Sequence, residues 1–154
     1  MSAALRILID ADACPVKDEV YKVATRHKVP VVVVSNSPIR VPQGTLVTRK
    51  LVSDAFDAAD DWIVANTDTG TVVITADILL ADRCLKLGAS VLAPNGKPFT
   101  TASIGGAIAT RAIMADLRAN GDVVGGPPPF SKQDRSRFLS SLDEMLVKLA
   151  RRTR

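Results

Sequence analysis

Residues 5–20 read LRILIDADACPVKDEV, and this stretch decides the fold. Its first five residues are a short, largely apolar run, which is typical of a buried strand. Two carboxylates, Asp10 and Asp12, follow where that strand leaves the core. Pro15 then suits the first turn of a helix, and the apolar residues after it recur at helical spacing. The stretch therefore predicts a strand, an acidic strand end and a helix in direct succession.

The rest of the chain repeats this alternation of strands and helices. Apolar, β-branched runs predict further strands over 29–36, 46–52, 71–77 and 89–94. Periodic segments predict helices over 15–28, 53–67, 78–88, 102–119 and 131–152. Strands that alternate with helices in this way indicate an α/β fold with a mostly parallel central sheet flanked by helices. We expect one domain over 1–154, in which the Gly/Pro linker 121–130, GDVVGGPPPF, leads to the C-terminal helix 131–152.

Composition narrows the class of protein. A chain of 154 residues, 47% of them hydrophobic, is long enough to bury one aliphatic core. Aromatic residues make up only 4%, so platforms for stacking nucleobases are not expected, and the net charge of +4 is compatible with a polyanionic partner. Two cysteines form no disulfide framework. With neither a signal peptide nor a membrane span expected, we predict a cytoplasmic protein that binds no membrane.

Acidic residues gather at one predicted edge of the sheet. In parallel sheets, ligands bind beyond the carboxyl ends of the strands, and the endings ILIDAD and VVITAD place Asp10, Asp12 and Asp77 there. Carboxylates brought together repel one another unless a cation lies among them, and a hard divalent ion suits oxygen ligands. Each of these residues has an alternative role as a helix cap or a solvated turn residue.

The helix predicted over 53–67 is a second source of acids. Helical spacing predicts that its buried side carries Phe56, Ala59 and Ile63, with Ser53 as the N-cap. Asp60 then lies on the flank of the buried side near Asp57, whereas Asp54 and Asp61 point further toward solvent. A solvated acidic face near a helix N-terminus is the alternative interpretation of the cluster Asp57, Asp60 and Asp61.

Basic and nucleophilic residues indicate a functional site less clearly than the acidic residues do. Arg111 and Arg118 lie seven residues apart, on one face of a helix, and they are candidates for phosphate contacts or simply solvated. Arg40, Arg49 and Lys50 lie near loops and strand ends and are further substrate-binding candidates. Cys14, Cys84 and the single histidine, His27, are interpreted as packing or helix-end residues without catalytic roles.

Four motifs together resemble a known family. The segments IDADACPVKDE, DAADDWIV, VVITADILLA and GGPPPF, in this order, are similar to the YaiI/YqxD family of bacterial proteins, and the resemblance covers nearly the whole chain. That family is usually grouped with PIN-like domains, which have a three-layer, nuclease-type α/β fold and hold Mg²⁺ or Mn²⁺ with a cluster of acids. The resemblance therefore implies metal-dependent hydrolysis of phosphodiesters, with RNA favoured over DNA as the substrate.

The same resemblance implies roles for individual residues. Asp10, Asp60 and Asp77 match the catalytic acids of PIN-like sites. Asp82 is a loose match for their fourth acid. The full set implied as metal ligands comprises Asp10, Asp12, Asp57, Asp60, Asp61 and Asp77.

Two alternatives stay open at this stage. The pattern of an apolar run followed by Asp10, one residue and Asp12 also looks like the first motif of haloacid-dehalogenase-type phosphatases, where the first acid is the nucleophile. The chain could instead be a non-catalytic domain that binds RNA or protein. The apolar face of the helix 131–152 must be covered by its own domain or by a second copy in a homodimer.

Overall fold

The strands and helices alternate as the sequence predicts. The structure is a computed structural model that describes residues 4–12, 14–44, 46–121 and 129–152. Its strands are β1 (Arg6–Asp10), β2 (Val31–Ser35), β3 (Val47–Leu51), β4 (Thr71–Ile74), β5 (Ser90–Leu92) and β6 (Pro98–Phe99). Its helices are α1 (Lys17–His27), α2 (Ala58–Ala65), α3 (Ile78–Lys86), α4 (Ile104–Ala119) and α5 (Lys132–Arg152).

The strands form one sheet in the order β3-β2-β1-β4-β5-β6. The first five strands are parallel, and β6 pairs antiparallel with β5. From β1 the chain moves outward through β2 and β3, and then returns to place β4 on the other side of β1. The carboxyl ends of β1 and β4 therefore flank a topological switch point, which is where open α/β sheets form ligand crevices.

Each face of the sheet carries its own core, which gives three layers. Successive strand residues point to opposite faces, so that Ile7 and Ile9 join one core and Leu8 joins the other. The first core includes buried residues of α1 and α5, and the second includes those of α2, α3 and the start of α4. The predicted α/β fold with a mostly parallel, helix-flanked sheet is confirmed.

Helix α5 covers its apolar face with its own domain. Phe138, Leu142 and Leu146 are fully buried in the same core as the apolar side of α1. Two polar contacts join the same helices: Arg135 on α5 meets Glu19, and Asp143 meets His27. Residues 122–128 of the predicted linker lie outside the described residues.

The segment before α2 differs from the prediction. The helix begins at Ala58 rather than at residue 53, because Asp57 has a left-handed backbone with φ of 66° that an α-helix cannot continue. Ser53 is consequently not its N-cap, and its hydroxyl accepts a hydrogen bond from the Ala55 N–H inside the preceding turn. Phe56, predicted to be buried, is 93% exposed.

The turn between β5 and β6 is tighter than its sequence alone indicates. Gly96 has φ of 86°, and a Cβ there would come within 2.7 Å of the backbone of Arg137 on α5. The Asn95-Gly96 pair thus lies in a turn that packs closely against the backbone of α5, where only glycine fits. Within the described ranges, none of the helices has the length and apolar character needed to cross a membrane.

Candidate acidic cleft

An open cleft of about 750 Å³ lies at the carboxyl ends of β1 and β4. Among the described residues, acids from several segments line it: one is the last residue of β1 and one follows that strand, two lie in the loop after β3, one is on α2 and one follows β4. They are Asp10, Asp12, Asp54, Asp57, Asp60 and Asp77. Arg83 and Arg111 are the cationic residues among the described residues that line it. The cleft therefore carries a large excess of negative charge.

Thr75 connects the two central strand ends. Its hydroxyl donates a hydrogen bond of 2.9 Å to Oδ2 of Asp10 and accepts one of 3.0 Å from the Asp77 N–H. The side chain is buried, so these bonds hold one orientation with little competition from water. Thr75 thereby fixes both the carboxylate of Asp10 and the backbone that carries Asp77.

Asp77 has a structural role as well as a place in the cleft. Its Oδ1 accepts hydrogen bonds from the backbone N–H groups of Leu79 and Leu80, at 2.9 and 3.2 Å, and so caps the N-terminus of α3. Helix capping, the alternative role considered for strand-end acids, is therefore realised at this residue. Because both bonds use one oxygen, the cap orients the carboxylate without occupying Oδ2.

Crowding changes the acidity of two of these groups. Burial, followed by the charges of Asp77, Asp10 and Asp57, raises the pKa of Asp60 to about 6. Burial also raises the pKa of Asp10, with further contributions from Asp12 and Asp77, while the hydrogen bond from Thr75 acts in the opposite direction. Both shifts arise first from burial and then from neighbouring carboxylates, and a bound cation would offset the repulsion among these carboxylates.

The structure brings most of the predicted acids into the cleft, but not all of them. Asp61 forms an ion pair of 3.1 Å with Arg83, which does line the cleft, and the side chains of Asp61 and Arg83 are 65% and 44% exposed. Asp82, the loose match for a fourth acid, pairs with Lys86 at 2.9 Å on α3. Neither residue is among the described residues that line the cleft. Asp54 does line it, although its helical position predicted that it would face solvent.

The predicted substrate-binding cations separate into two groups. Arg111 on α4 lines the cleft, whereas Arg118, two turns further along the helix, is exposed and is not among the described lining residues. Arg49 and Lys50 line a second groove of about 260 Å³ at the ends of β2 and β3. Arg40 lines a third groove, which it shares with Arg49.

The second groove adjoins the acidic cleft. Ser35 and Ser37 line the groove, and Asn36, the residue between them, lines the cleft. Both openings therefore lie along the same edge of the sheet. Arg49 is partly engaged there, since its Nη1 donates a hydrogen bond of 2.9 Å to the Ile39 carbonyl.

Sequence reasoning missed four lining or supporting residues. Thr75 carries a weak signal, because it is a hydroxyl residue placed directly before the strand-end Ala-Asp. Asn36 is the last residue of the strand predicted over 29–36 and could have been found by the strand-end rule. Asp54 and Phe56 could not, because their position depends on the left-handed residue Asp57, which a continuous helical pattern conceals.

The carboxylate oxygens of the cleft are the type of ligand that a hard divalent cation prefers. Their side chains do not, however, form a preorganised coordination site. Among the described residues, no three His, Cys, Asp or Glu side chains lie close enough together to hold a metal ion. Mg²⁺ is commonly held by only one or two carboxylates together with water molecules. The pair Asp10 and Asp77, oriented around Thr75, meets that lower requirement, and Asp60 adds a further oxygen donor on the cleft wall.

The thiols and the histidine are not in the cleft lining. Cys14 and Cys84 are buried in different cores, on opposite faces of the sheet, and burial raises the pKa of each thiol. His27 lies at the end of α1, where its Nε2 is 2.7 Å from Oδ1 of Asp143 on α5. These positions agree with the packing and helix-end roles interpreted from the sequence.

Comparison with known proteins identifies the family. A UPF0178 protein of Sphingopyxis alaskensis is 68% identical over 152 residues, which cover 98% of each chain. UPF0178 proteins of Rhodopseudomonas palustris and Bradyrhizobium diazoefficiens are each 57% identical, over 97% and 96% of this chain and 95% and 88% of their own lengths. No solved structure matches the chain. The model of the family described as "Uncharacterized BCR, YaiI/YqxD family" matches residues 8–148, and the chain belongs to this family.

Proposed function

We propose that this protein is a metal-dependent phosphodiesterase that hydrolyses nucleic acid, with RNA favoured over DNA, and that its site is the acidic cleft. The observation that carries the proposal is the convergence of carboxylates from β1, β4, α2 and the loop before α2 on one open cleft. A protein that needed these acids only for solubility would gain nothing from crowding them at a sheet switch point, where burial and neighbouring carboxylates raise the pKa of Asp10 and of Asp60.

Asp10, Asp77 and Asp60 are the residues proposed to hold Mg²⁺ or Mn²⁺, with Asp12 and Asp57 as further oxygen donors on the rim. When bound, such an ion offsets negative charge on a phosphodiester and lowers the pKa of water. The chain supplies the rest of the site. Thr75 orients the Asp10 carboxylate, and the cap of α3 orients Asp77.

Positive groups beside the cleft suit a polyanionic substrate. Arg111 lines the cleft itself, and Lys50, Arg49 and Arg40 lie along the adjoining grooves at the same sheet edge. A nucleic acid strand that crosses the cleft would carry its next phosphates toward these cations, which bind the backbone without reading sequence. The resemblance to PIN-like nucleases supports RNA as the favoured substrate.

Metal binding and hydrolysis should be tested on the same variants. We expect Mn²⁺ to bind the wild-type protein in calorimetry and single-stranded RNA to be cleaved only in the presence of Mg²⁺ or Mn²⁺. The Asp10→Asn/Asp77→Asn double variant should lose both activities, with cleavage reduced by about 100-fold or more because charge stabilisation of several kcal/mol is removed. Asp61→Asn is the matched control on the same helix, since Asp61 is not among the described residues that line the cleft and its carboxylate is already paired with Arg83.

Two outcomes would contradict the proposal. Cleavage that survives in the double variant would identify a contaminating nuclease, and equally negligible Mn²⁺ binding in both proteins would favour a non-catalytic domain. A fluoroberyllate adduct on Asp10 would instead support the haloacid-dehalogenase-like alternative, in which this carboxylate is the nucleophile.

A further inference from the structure

The rim of the acidic cleft carries an aromatic ring in water. Phe56 lines the cleft and is 93% exposed. Among the described residues, the next most exposed large apolar side chain is Ile113 at 59%. Single exposed apolar side chains are common on protein surfaces, but this ring also lines the cleft of the proposed site, where its faces are accessible to a ligand.

Local backbone structure holds the ring at the cleft. The five residues from 53 to 57 follow β3, and all of them line the cleft. The Ala55 N–H bonds to the Ser53 hydroxyl, and the Ala58 N–H bonds to the Ala55 carbonyl, so the segment is a succession of turns. Asp57 is left-handed, and α2 starts only after it. This break keeps Phe56 off the buried side of α2.

The surroundings of the ring favour a nucleobase over a protein partner. A protein-docking anchor is usually part of a continuous apolar patch, whereas Phe56 stands between Asp54 and Asp57 on a strongly acidic rim. The π-face of a neutral base can stack on the ring, and the exocyclic amino groups of bases can donate to carboxylates. Leu79, 44% exposed, lines the same cleft and offers a second apolar contact.

We propose that Phe56 is a base-stacking subsite that selects unpaired nucleotides next to the cleft. The proposal rests on nucleic acid being the substrate, as proposed above. Bases inside a duplex are already stacked on both faces, so a duplex cannot present one to the ring without paying for unstacking. The subsite therefore makes the protein specific for single strands, while the cleft carboxylates have the separate role of binding the metal ion.

The test measures binding separately from cleavage. Fluorescence anisotropy with a labelled 12-nucleotide single-stranded RNA, in Ca²⁺ buffer so that the probe stays intact, gives the affinity of the wild-type protein. We expect Phe56→Ala to weaken binding by about 5- to 150-fold, the range measured for loss of one stacked base, and Phe56→Trp to retain it. Leu87→Ala is the matched control, because Leu87 is also exposed but is not a lining residue.

Stacking is separated from other contacts with two further probes. An RNA of the same length with abasic positions should bind the wild-type protein as weakly as intact RNA binds Phe56→Ala, and it should show no further loss with the variant. A hairpin duplex should bind wild-type and Phe56→Ala protein equally. An equal loss for Phe56→Ala on all three probes would overturn the subsite, as would no RNA binding by the wild-type protein.

The outcomes distinguish this proposal from the proposed hydrolysis. Base-dependent binding that requires Phe56, without cleavage in Mg²⁺ or Mn²⁺, would support the stacking subsite and contradict the proposed phosphodiesterase activity. Cleavage that requires Asp10, with affinity unaffected by Phe56→Ala, would do the reverse. Loss of self-association in Phe56→Ala, measured by light scattering without any change in RNA affinity, would assign the ring to a protein interface instead.

Discussion

Two clusters of carboxylates in this molecule are built in opposite ways. Between α1 and α5, each acid meets a cation: Glu19 lies 2.5 Å from Arg135, and Asp143 contacts both His27 and Arg26. Among the described residues of the cleft lining there are six aspartates and two arginines, and one of these arginines, Arg83, is already paired with Asp61. The first cluster is neutralised within the chain, and the second is not.

The pKa directions follow this difference. The hydrogen bond with His27 lowers the pKa of Asp143, whereas burial and neighbouring acids raise the pKa of Asp10 and of Asp60. Charges that the fold compensates hold helices together, and charges that it leaves uncompensated are available to a ligand. The comparison thus separates acids that are paired with cations inside the fold from acids whose crowding supports the proposed metal site.

The largest expected effect comes from removing the cation that pairs with Glu19 between α1 and α5. In Arg135→Met, the carboxylate of Glu19, whose side chain is only 10% exposed, would lose its cation and stay buried. We expect the free energy of unfolding at pH 7 to fall by about 2–3 kcal/mol, near the lower end for a broken buried pair because Arg135 itself is partly exposed. Urea denaturation followed by circular dichroism measures the change.

The matched double variant shows whether the charge is the cause. Glu19→Gln/Arg135→Met removes both charges, and it should be more stable than Arg135→Met alone. If both variants were equally destabilised, the loss of stability would come from the packing of the Arg135 side chain, including its position over the Phe130 ring. It would then not come from the buried, unpaired carboxylate of Glu19.

A smaller effect is expected from the residue that orients the cleft acids. Thr75→Val removes the hydroxyl that bonds to Asp10 and to the Asp77 N–H while it nearly preserves side-chain shape. Because partners of this kind are worth about 10- to 100-fold in metal affinity or activity, we expect Mn²⁺ affinity to fall by about 10-fold. Calorimetry at pH 7.5 measures it.

The conservative variant Thr75→Ser keeps the hydroxyl and should bind Mn²⁺ nearly as well as the wild-type protein. The hydroxyl also lowers the pKa of Asp10, so the affinity lost in Thr75→Val should be recovered in part as the pH is raised. A loss that is the same at pH 6 and pH 8 would mean that Thr75 acts only through packing.

The fold could be predicted because its signals are local. Apolar, β-branched runs and the proline before α1 each act within a few residues, and the apolar runs predicted all strands except the two-residue β6. The start of α2 could not be predicted, because the left-handed Asp57 lies inside a stretch whose composition favours a helix.

The site was predictable only where a strand-end rule applied. Asp10, Asp12 and Asp77 follow from strand order, since β1 and β4 are neighbours at the switch point. Asp54 and Phe56 depend on the tertiary placement of a loop. The ion pair of Asp61 with Arg83 joins two helices, and Asp61 is not among the described lining residues. Contacts of that range leave no periodic signal in the sequence.

The third prediction tests whether the cleft charges oppose folding. The pKa of Asp60 is raised to about 6 from 3.8, so the ionised group destabilises the fold above pH 6, and the cost disappears as the pH falls toward 3.8. The full shift corresponds to about 3 kcal/mol, which solvent screening reduces to about 1 kcal/mol. Asp60→Asn should therefore stabilise the metal-free protein by about 1 kcal/mol at pH 7.5.

Thermal melts in EDTA at several pH values measure this effect, and a gain of about 2–4 °C is expected at pH 7.5, with none at pH 4. Asp61→Asn is the control on the next position of the same helix, and it should not stabilise the protein because Asp61 already has Arg83 as its partner. Stabilisation of the same size by both variants would indicate a general effect of net charge.

The smallest effect, of opposite sign, is expected at Asp143. Its pKa is lowered by the hydrogen bond with His27, so its contribution to stability is present above pH 3.8 and is lost as the pH falls through the lower value in the folded state. Asp143→Asn should cost about 0.5 kcal/mol at pH 6, because a contact this accessible to water is worth little, and the cost should shrink in 1 M salt and vanish near pH 2. Denaturation curves at these pH values measure it. If Asp143→Asn stabilised the protein at pH 6 as Asp60→Asn does, the carboxylates of the two clusters would not differ in how far neighbouring cations neutralise them. The excess of negative charge in the cleft would then no longer support a ligand site there.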